Sequence, residues 1–371
     1  MSRRVTQRDI ARMTGVSQAT VSLVLNNRSG DDVRIAPETR QRVLDAIRTT
    51  GYVADPVARR LVSGRNRILG VFTYEPVFPS TAADFYHPFL VGIEQRAEQL
   101  GCDLLLFTSS SQVSGAGGAG GGADGGAGGR KIFHADSRIG IADGTILLGR
   151  RVDRDDLVRL VGEGHAFVSV GRRDDAGGPV PYVGADYPAA VAALVERAHE
   201  LGHTRIGYLG SGGPAESHAD RLRGFQAAGG TVHLPPHNQQ PPHNQQPPHN
   251  QLPLHGWLDA IERERLTAVL LEEYADAAAL LAAARARGWS VPGDLSMAAL
   301  GEPSGAGPLD ETITRVRIPR REMGWQAVEQ LTAAIEGVAV AGAVAGAAGG
   351  TVVQRLLPCA IHAGQTLVSR R

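Results

Sequence analysis

From residue 68 onward, short apolar runs alternate with stretches of helical periodicity, and this rhythm constrains the fold more than any other feature of the chain. The runs are Ile68–Thr73, Asp103–Phe107, Gly144–Leu148, 166–170, 205–209, Ala268–Leu271 and 295–300. Helical stretches lie between several of them, at 89–100, 189–201 and 275–287. Alternation of this kind predicts parallel sheets with helices on both faces. Three segments break it. Residues 114–129 are almost entirely Gly and Ala, 235–251 repeat the unit Pro-Pro-His-Asn-Gln-Gln, and 338–350 are mostly Ala, Gly and Val. Such compositions cannot bury a core, so all three read as surface loops or disorder. His237, His243 and His249 of the repeat lack acidic or Cys partners, so the reading is repeat expansion in a loop and no metal is expected.

The first fifty residues have a different texture, that of three short helices. Thr6 is a good N-cap with Asp9 three residues on. Ile10, Ala11 and Met13 give the first helix an inner face, and Gly15 ends it. Ser17 caps a second helix whose inner face is Val21, Val24 and Leu25. Pro37 and Glu38 open a third, with Val43, Leu44 and Ile47 as its apolar stripe and Gly51 as its stop. Charge is uneven. Residues 1–67 hold thirteen arginines against six acidic residues, about seven positive charges on a chain whose formal net charge is zero. A basic end on an acidic body is the layout of a nucleic-acid-binding module attached to something else.

Exclusions follow from what the sequence lacks. The two cysteines, Cys102 and Cys359, share no metal-ligand spacing with histidines, which fits a reduced, cytoplasmic setting. No apolar run is long enough to span a bilayer, and the basic start continues polar rather than as a secretion signal. No nucleophile elbow and no Walker-type phosphate loop occurs, so no enzyme activity and no cofactor are expected.

The segment Val5-Thr-Gln-Arg-Asp-Ile-Ala-Arg-Met-Thr-Gly-Val-Ser-Gln-Ala-Thr-Val-Ser-Leu-Val-Leu-Asn-Asn carries the sharpest signal. A helix-turn-helix needs a small residue at the helix crossing, a glycine in the turn and an apolar inner face on the second helix. Ala11, Gly15, and Val16, Val21 and Leu25 supply these. Gln18, Ala19, Ser22 and Asn26 are left on the outer face, where Gln can pair with adenine and Ala can touch a thymine methyl.

At these residues the chain resembles the lactose-repressor (LacI/GalR) family of bacterial regulators, over essentially its whole length. The headpiece match covers 5–26, then Ala36-Pro-Glu-Thr-Arg, then Gly51-Tyr-Val-Ala-Asp-Pro-Val-Ala-Arg-Arg-Leu. The resemblance implies phosphate contacts at Thr6, Ser17 and Asn26, a DNA-contacting Gln7, and base contacts at Gln18, Ala19 and Ser22. Two departures stand out: Leu23, where many members carry a base-reading Arg or His, and a longer loop at 28–35. Residues 56–63 make only about two helical turns, too short for stability alone. The resemblance implies a hinge helix that orders on operator DNA, with Leu61 as a minor-groove wedge and Ala58 beside it.

In the remainder, Gly202-His-Thr-Arg-Ile-Gly-Tyr-Leu-Gly, Arg221-Leu-Arg-Gly-Phe, Val291-Pro-Gly-Asp-Leu-Ser and Arg321-Glu-Met-Gly match the same family. They imply a periplasmic-binding-protein-like core of two α/β subdomains around a ligand cleft. Arg221 and Ser217 fall on effector-contacting positions, although Arg221 could equally serve a structural ion pair. Phe85 and Tyr86 stand where an aromatic stacks on the effector, and Asp186 lies at a strand end near the crossover. Many sugar-binding members carry Ala-Asn-Asp where this chain has Glu272, Glu273 and Tyr274. Tyr274 then replaces the Asp that grips sugar hydroxyls, while Glu273 could restore an acceptor. The effector is expected to be a sugar-like metabolite, with an anionic or aromatic one as the alternative.

The expected architecture is an all-α helix-turn-helix headpiece (1–50), a hinge (51–67) and an α/β core (68–371) of two subdomains with parallel sheets. The first subdomain is expected to take about 68–185 and 315–340, and the second about 186–312 with the C-terminal strand at 351–362. The expected function is a homodimeric repressor of double-stranded operator DNA, with affinity set by a small-molecule effector and no membrane contact. No heptad tail follows the last strand, which argues against a coiled-coil tetramer. A solute-binding protein and an enzyme on the same scaffold are the alternatives.

Overall fold

The computed structural model describes residues 5–25, 35–52, 65–75, 83–108, 130–210, 213–234, 254–303, 311–338, 343–345 and 351–370. Asn26, Ala58 and Leu61, the hinge segment 56–63 and the repeats at 114–129 and 235–251 lie outside these residues. The chain divides into two compact units, Met1–Asn66 and Arg67–Arg371.

In the first unit, helices α1 (Gln7–Thr14), α2 (Gln18–Leu25) and α3 (Pro37–Thr50) enclose Ile10, Ala11, Val21, Val24 and Val43. The α1 start is a full capping box: Thr6 accepts from the Asp9 amide and Asp9 accepts from the Thr6 amide. The turn between α1 and α2 requires Gly15, whose φ of 67° is strained for any residue with a Cβ. One expected inner residue is displaced. Met13 is 59% exposed and Thr14 is buried in its place. Position 14 lies three and four residues beyond Ala11 and Ile10, on their face of the helix, and position 13 does not. The Thr14 hydroxyl is satisfied by donating to the Ile10 carbonyl at 2.8 Å.

The second unit is built from two sheets, as the alternation predicts. Strands β1 (Ile68–Thr73), β2 (Asp103–Phe107), β3 (Gly144–Leu148), β4 (Phe167–Val170) and β5 (Tyr182–Ala185) form the first, with helices α4 (Ala83–Leu100) and α5 (Arg154–Glu163) between them. Helix α6 (Tyr187–Glu200) leads into the second sheet. There β6 (Ile206–Leu209), α7 (Glu216–Ala227), β7 (Val232–Leu234), α8 (Leu254–Arg263), β8 (Ala268–Leu271), α9 (Tyr274–Ala286), β9 (Ser296–Ala299) and β10 (Thr314–Arg317) follow in turn. Helix α10 (Arg320–Glu336) returns to the first sheet, where Met323, Ala327, Val328 and Leu331 join Phe89 and Ile93 of α4 in one core. Strands β11 (Ala343–Ala345) and β12 (Thr351–Leu357) extend that sheet, and β13 (Ala360–His362) closes the second. The orders are β11-β12-β5-β4-β3-β1-β2 and β13-β10-β9-β8-β6-β7. Among the described residues only the pairs β11–β12 and β10–β13 are antiparallel.

Three expectations about the ends of this unit are corrected. Residues 351–362 are not one strand of the second subdomain. Pro358 has no N–H for a ladder, and the chain breaks there into β12 on the first sheet and β13 on the second. Residues 314–317 pair with β9 and belong to the second sheet, so the return to the first begins at α10. The segment 338–350 is not wholly loop, since β11 falls inside it. The chain thus passes between sheets three times, and residues remote in sequence meet where it crosses.

Candidate functional site

In the headpiece, Gln18 and Ala19 are exposed at the start of α2, and Ser22 is half-buried one turn on. Ser17 Oγ accepts from the Thr20 amide at 3.0 Å, the capping role expected of it. Gln18 donates through Nε2 to Oε1 of Gln7 at 3.3 Å. That contact brings the first residues of α1 and α2 together, and with them two helix N-termini whose partial positive charge suits phosphate. Thr6 is exposed and turned inward on Asp9, with its hydroxyl donating to Oδ2 at 2.6 Å. The exposed residues at the start of α2, Gln18 and Ala19, are short and polar or small, as contact with base edges in a DNA groove requires.

In the second unit the carboxyl ends of the parallel strands of both sheets converge, the usual place for a ligand crevice in such folds. Glu75 follows β1, Arg150 follows β3, Arg172 and Arg173 follow β4, Glu272 and Glu273 follow β8, and Glu302 follows β9. Gly171 turns the chain after β4 at φ 102°, a conformation open to glycine, and this presents the two arginines. A cavity of about 70 Å³ lies here, walled by Phe85, Tyr86, Phe89 and Tyr187 on its aromatic side and by Arg150, Arg172, Arg173, Ser217 and Asp220 on its polar side.

Phe85 and Tyr86 therefore stand in the cavity wall as expected from the sequence, and so does Ser217. Arg150 and Arg320 lie over the Phe85 ring, at 5.1 and 5.5 Å from its centroid. Tyr86 donates its hydroxyl to Glu75, and burial with the Glu75 charge pushes its pKa up.

The other expected residues take different places. Arg221 is buried on α7, where Nε donates to the Leu300 carbonyl at 3.0 Å, Nη1 to the Ser217 carbonyl at 3.4 Å, and the guanidinium lies 4.0 Å from the Tyr187 ring centroid. Its fork is engaged by backbone and a ring rather than by an ion pair. Asp186 caps α6 by accepting from the Ala189 amide at 3.1 Å. Tyr274 is 9% exposed and belongs to the core with Leu209, Trp257 and Leu271, so it offers no flat face to the cavity. As the first residue of α9, it is turned back under the helix.

Glu273 does reach the cleft. It takes the Arg150 guanidinium at 3.2 and 3.4 Å and faces His218 at 3.6 Å. Burial alone would raise its carboxyl. The hydrogen bond from His218 and the charges of Arg150 and Arg221 outweigh that and hold it at about 2. Asp276, one turn into α9, shows the reverse: burial first, then the charges of Glu273 and Glu272, push it up to about 7.

Arg150, Arg172, Arg173, Glu216 and Asp220 are the site residues that the sequence did not single out. Arg172 donates through Nε to Asp220 Oδ2 at 2.7 Å, and Arg173 through Nη1 to Glu216 Oε2 at 2.9 Å. The position of the three arginines directly after apolar runs was the available signal; Glu216 and Asp220, on α7, carried none. Among the described residues, no group of three or more His, Cys, Asp or Glu side chains could hold a metal ion, and no helix is long and apolar enough to cross a membrane.

Comparison with known proteins matches both units. The family described as bacterial regulatory proteins, lacI family, matches residues 6–55, and the periplasmic binding protein-like domain matches residues 195–355. Catabolite control protein A of Priestia megaterium is 24% identical over 336 residues, 88% of this chain and 92% of that one. The maltose regulon regulatory protein MalI of Escherichia coli (strain K12) is 26% identical over 242 residues, 64% of this chain and 63% of that one. Among solved structures, the lac repressor dimer bound to operator and the anti-inducer ONPF shares the fold at a TM-score of 0.66 and 18% identity, covering 99% of this chain and 100% of that one.

Proposed function

The chain belongs to the lacI family of bacterial regulatory proteins, and from that premise we infer how it works. It is a sequence-specific DNA-binding transcriptional regulator, acting as a repressor, whose operator affinity answers to a small molecule held in the cleft of its second unit. The observation that carries this reading is the headpiece: two capped helices with joined N-termini and a short polar face at Gln18, Ala19 and Ser22. Phosphates would be held at Thr6, Gln7 and Ser17, and base edges read at Gln18, Ala19 and Ser22.

The protein works as a homodimer, whose paired headpieces meet the two halves of a pseudo-palindromic operator in the cytoplasm. A neutral sugar or related polyol is the favoured effector. An aromatic wall beside paired arginines and carboxylates suits a ring with vicinal hydroxyls, and a relative of this chain governs a maltose regulon. An anionic effector is less favoured, because each cleft arginine that lines the cavity already faces a carboxylate.

Two steps test the reading. Selection of binding sites from random duplex should yield a palindromic sequence, bound far more tightly than random DNA at the same salt. A thermal-shift screen with maltose, cellobiose, sucrose, glucose 6-phosphate and citrate then asks which class the cleft takes. Selection that returns no enriched sequence contradicts the first half. Stabilisation by the acids alone contradicts the choice of a sugar.

A further inference from the structure

The ion pairs of the cleft follow a single rule. Arg150 with Glu273, Arg172 with Asp220, Arg173 with Glu216 and Arg320 with Glu302 each join the two sheet layers, at 3.2, 2.7, 2.9 and 3.1 Å. In every pair the arginine comes from the layer of the first sheet and the carboxylate from the layer of the second. Packing of one compact body would not require such segregation. Two surfaces that meet and part would be held in register by it.

We propose that these pairs are a latch that holds the cleft shut, so that an effector is admitted only by separating them. The proposal rests on the reading of this cleft as the effector site. The cavity between the pairs, about 70 Å³, is well below the roughly 300 Å³ at which small-molecule pockets begin. Any metabolite larger than this cavity must move the walls apart. Movement breaks contacts at Asp220 and Arg173, which are 1% and 4% exposed, and buried pairs of this kind are poorly screened by salt until they open.

The same residues are equipped to survive opening. Arg172 also holds Asp174 at 2.7 Å, and Asp220 also holds Arg223 at 2.6 Å. Glu273 has His218 on its own side, and Arg173 donates to Ser169 Oγ and to the carbonyls of Gly149, Arg150 and Arg172. Arg172, Arg173, Asp220 and Glu273 therefore keep partners within their own layer when the layers part. No buried charge is stranded, and the side chains stay aimed for closure. A static brace has no use for such second partners. The latch residues thereby set how readily the cleft admits an effector without having to contact it.

The test is hydrogen exchange read by mass spectrometry on the full chain, without DNA or effector. Raising NaCl from low to molar concentration should speed amide exchange at 147–150, 169–175 and 214–224 by roughly tenfold, and leave Ala268–Leu271 and Ser296–Ala299 unchanged. Asp220→Asn with Glu216→Gln should give the same local acceleration at low salt. Glu273→Gln, at a more exposed pair, gives a smaller one and serves if the double variant folds poorly. Glu163→Gln, on the surface pair with Arg159, should give none. Exchange at the cleft that ignores both salt and Glu273→Gln overturns the latch. So does acceleration spread evenly through the strands, which would make the pairs part of global stability. Because neither operator nor effector enters the experiment, a failure of the proposed function leaves its answer intact.

Discussion

The headpiece and the cleft solve recognition in opposite ways. The headpiece presents its working residues within seventeen consecutive positions, 6–22, mostly exposed, with caps and a glycine turn that are satisfied locally. The cleft draws Glu75, Arg150, Arg172, Arg173, Glu216, Asp220 and Glu273 from four strand ends and a helix, and buries Arg173 and Asp220 among them. A local site tolerates substitution because water replaces what is lost. A buried, long-range site does not, because the partner left behind cannot reach water. The contrast predicts a ranking of mutational effects.

Arg173→Ala should be the most damaging. It removes the only guanidinium that joins Ser169 Oγ, three backbone carbonyls and Glu216 at one point among the described residues. The expected loss is about 3–5 kcal/mol in the urea unfolding of the second unit. A loss under about 1 kcal/mol would place the cleft in the same tolerant class as the headpiece.

Asp276→Asn should act in the opposite direction. With its carboxyl at about 7 in the folded chain against an ordinary 3.8, the folded state holds the proton more tightly than the unfolded one. Stability from this group is therefore full below about pH 4 and is lost as pH rises through 7. The amide should stabilise the protein at pH 7.5 by about 2 kcal/mol and flatten that part of the pH profile. Glu273, held down at about 2, has the reverse sign: its contribution is present above about 4.5 and lost as pH falls toward 2. Thermal unfolding from pH 3 to 8 separates the two, and an unchanged slope between pH 4 and 7 in Asp276→Asn would remove Asp276 from the explanation.

Thr6→Ala should cost the headpiece about 1 kcal/mol through loss of its capping box, measured by circular dichroism of the helical transition. A cost as large as that of Arg173→Ala would erase the contrast.

The same contrast governs what could be read from the chain before its structure. Capping at Thr6 and Ser17, the turn at Gly15 and the outer face at Gln18 depend on neighbours three or four residues away, and periodicity reports them directly. Phe85, Tyr86 and Ser217 were found by resemblance and do line the cavity. Tyr274 was misread because an aligned position does not state which way a helix's first residue turns, and here it turns into the core. Arg221 donates through Nε and Nη1, and Asp186 accepts through Oδ1, to and from backbone partners that no pattern in the sequence announces. The arginine–carboxylate pairs were missed because pairing needs the register of two sheets. Pro358, which has no N–H for a ladder, stands where the last strands part to different sheets.

The most direct test of the function is the affinity of Gln18→Ala for a selected operator and for random duplex, side by side at one salt concentration. Gln18 is exposed and makes one side-chain contact, to Gln7, so its loss should leave folding nearly unchanged. Binding to the selected operator should fall by about 1–3 kcal/mol while binding to random duplex stays the same. Equal losses on both duplexes, or none on either, would contradict a headpiece that reads sequence through this face.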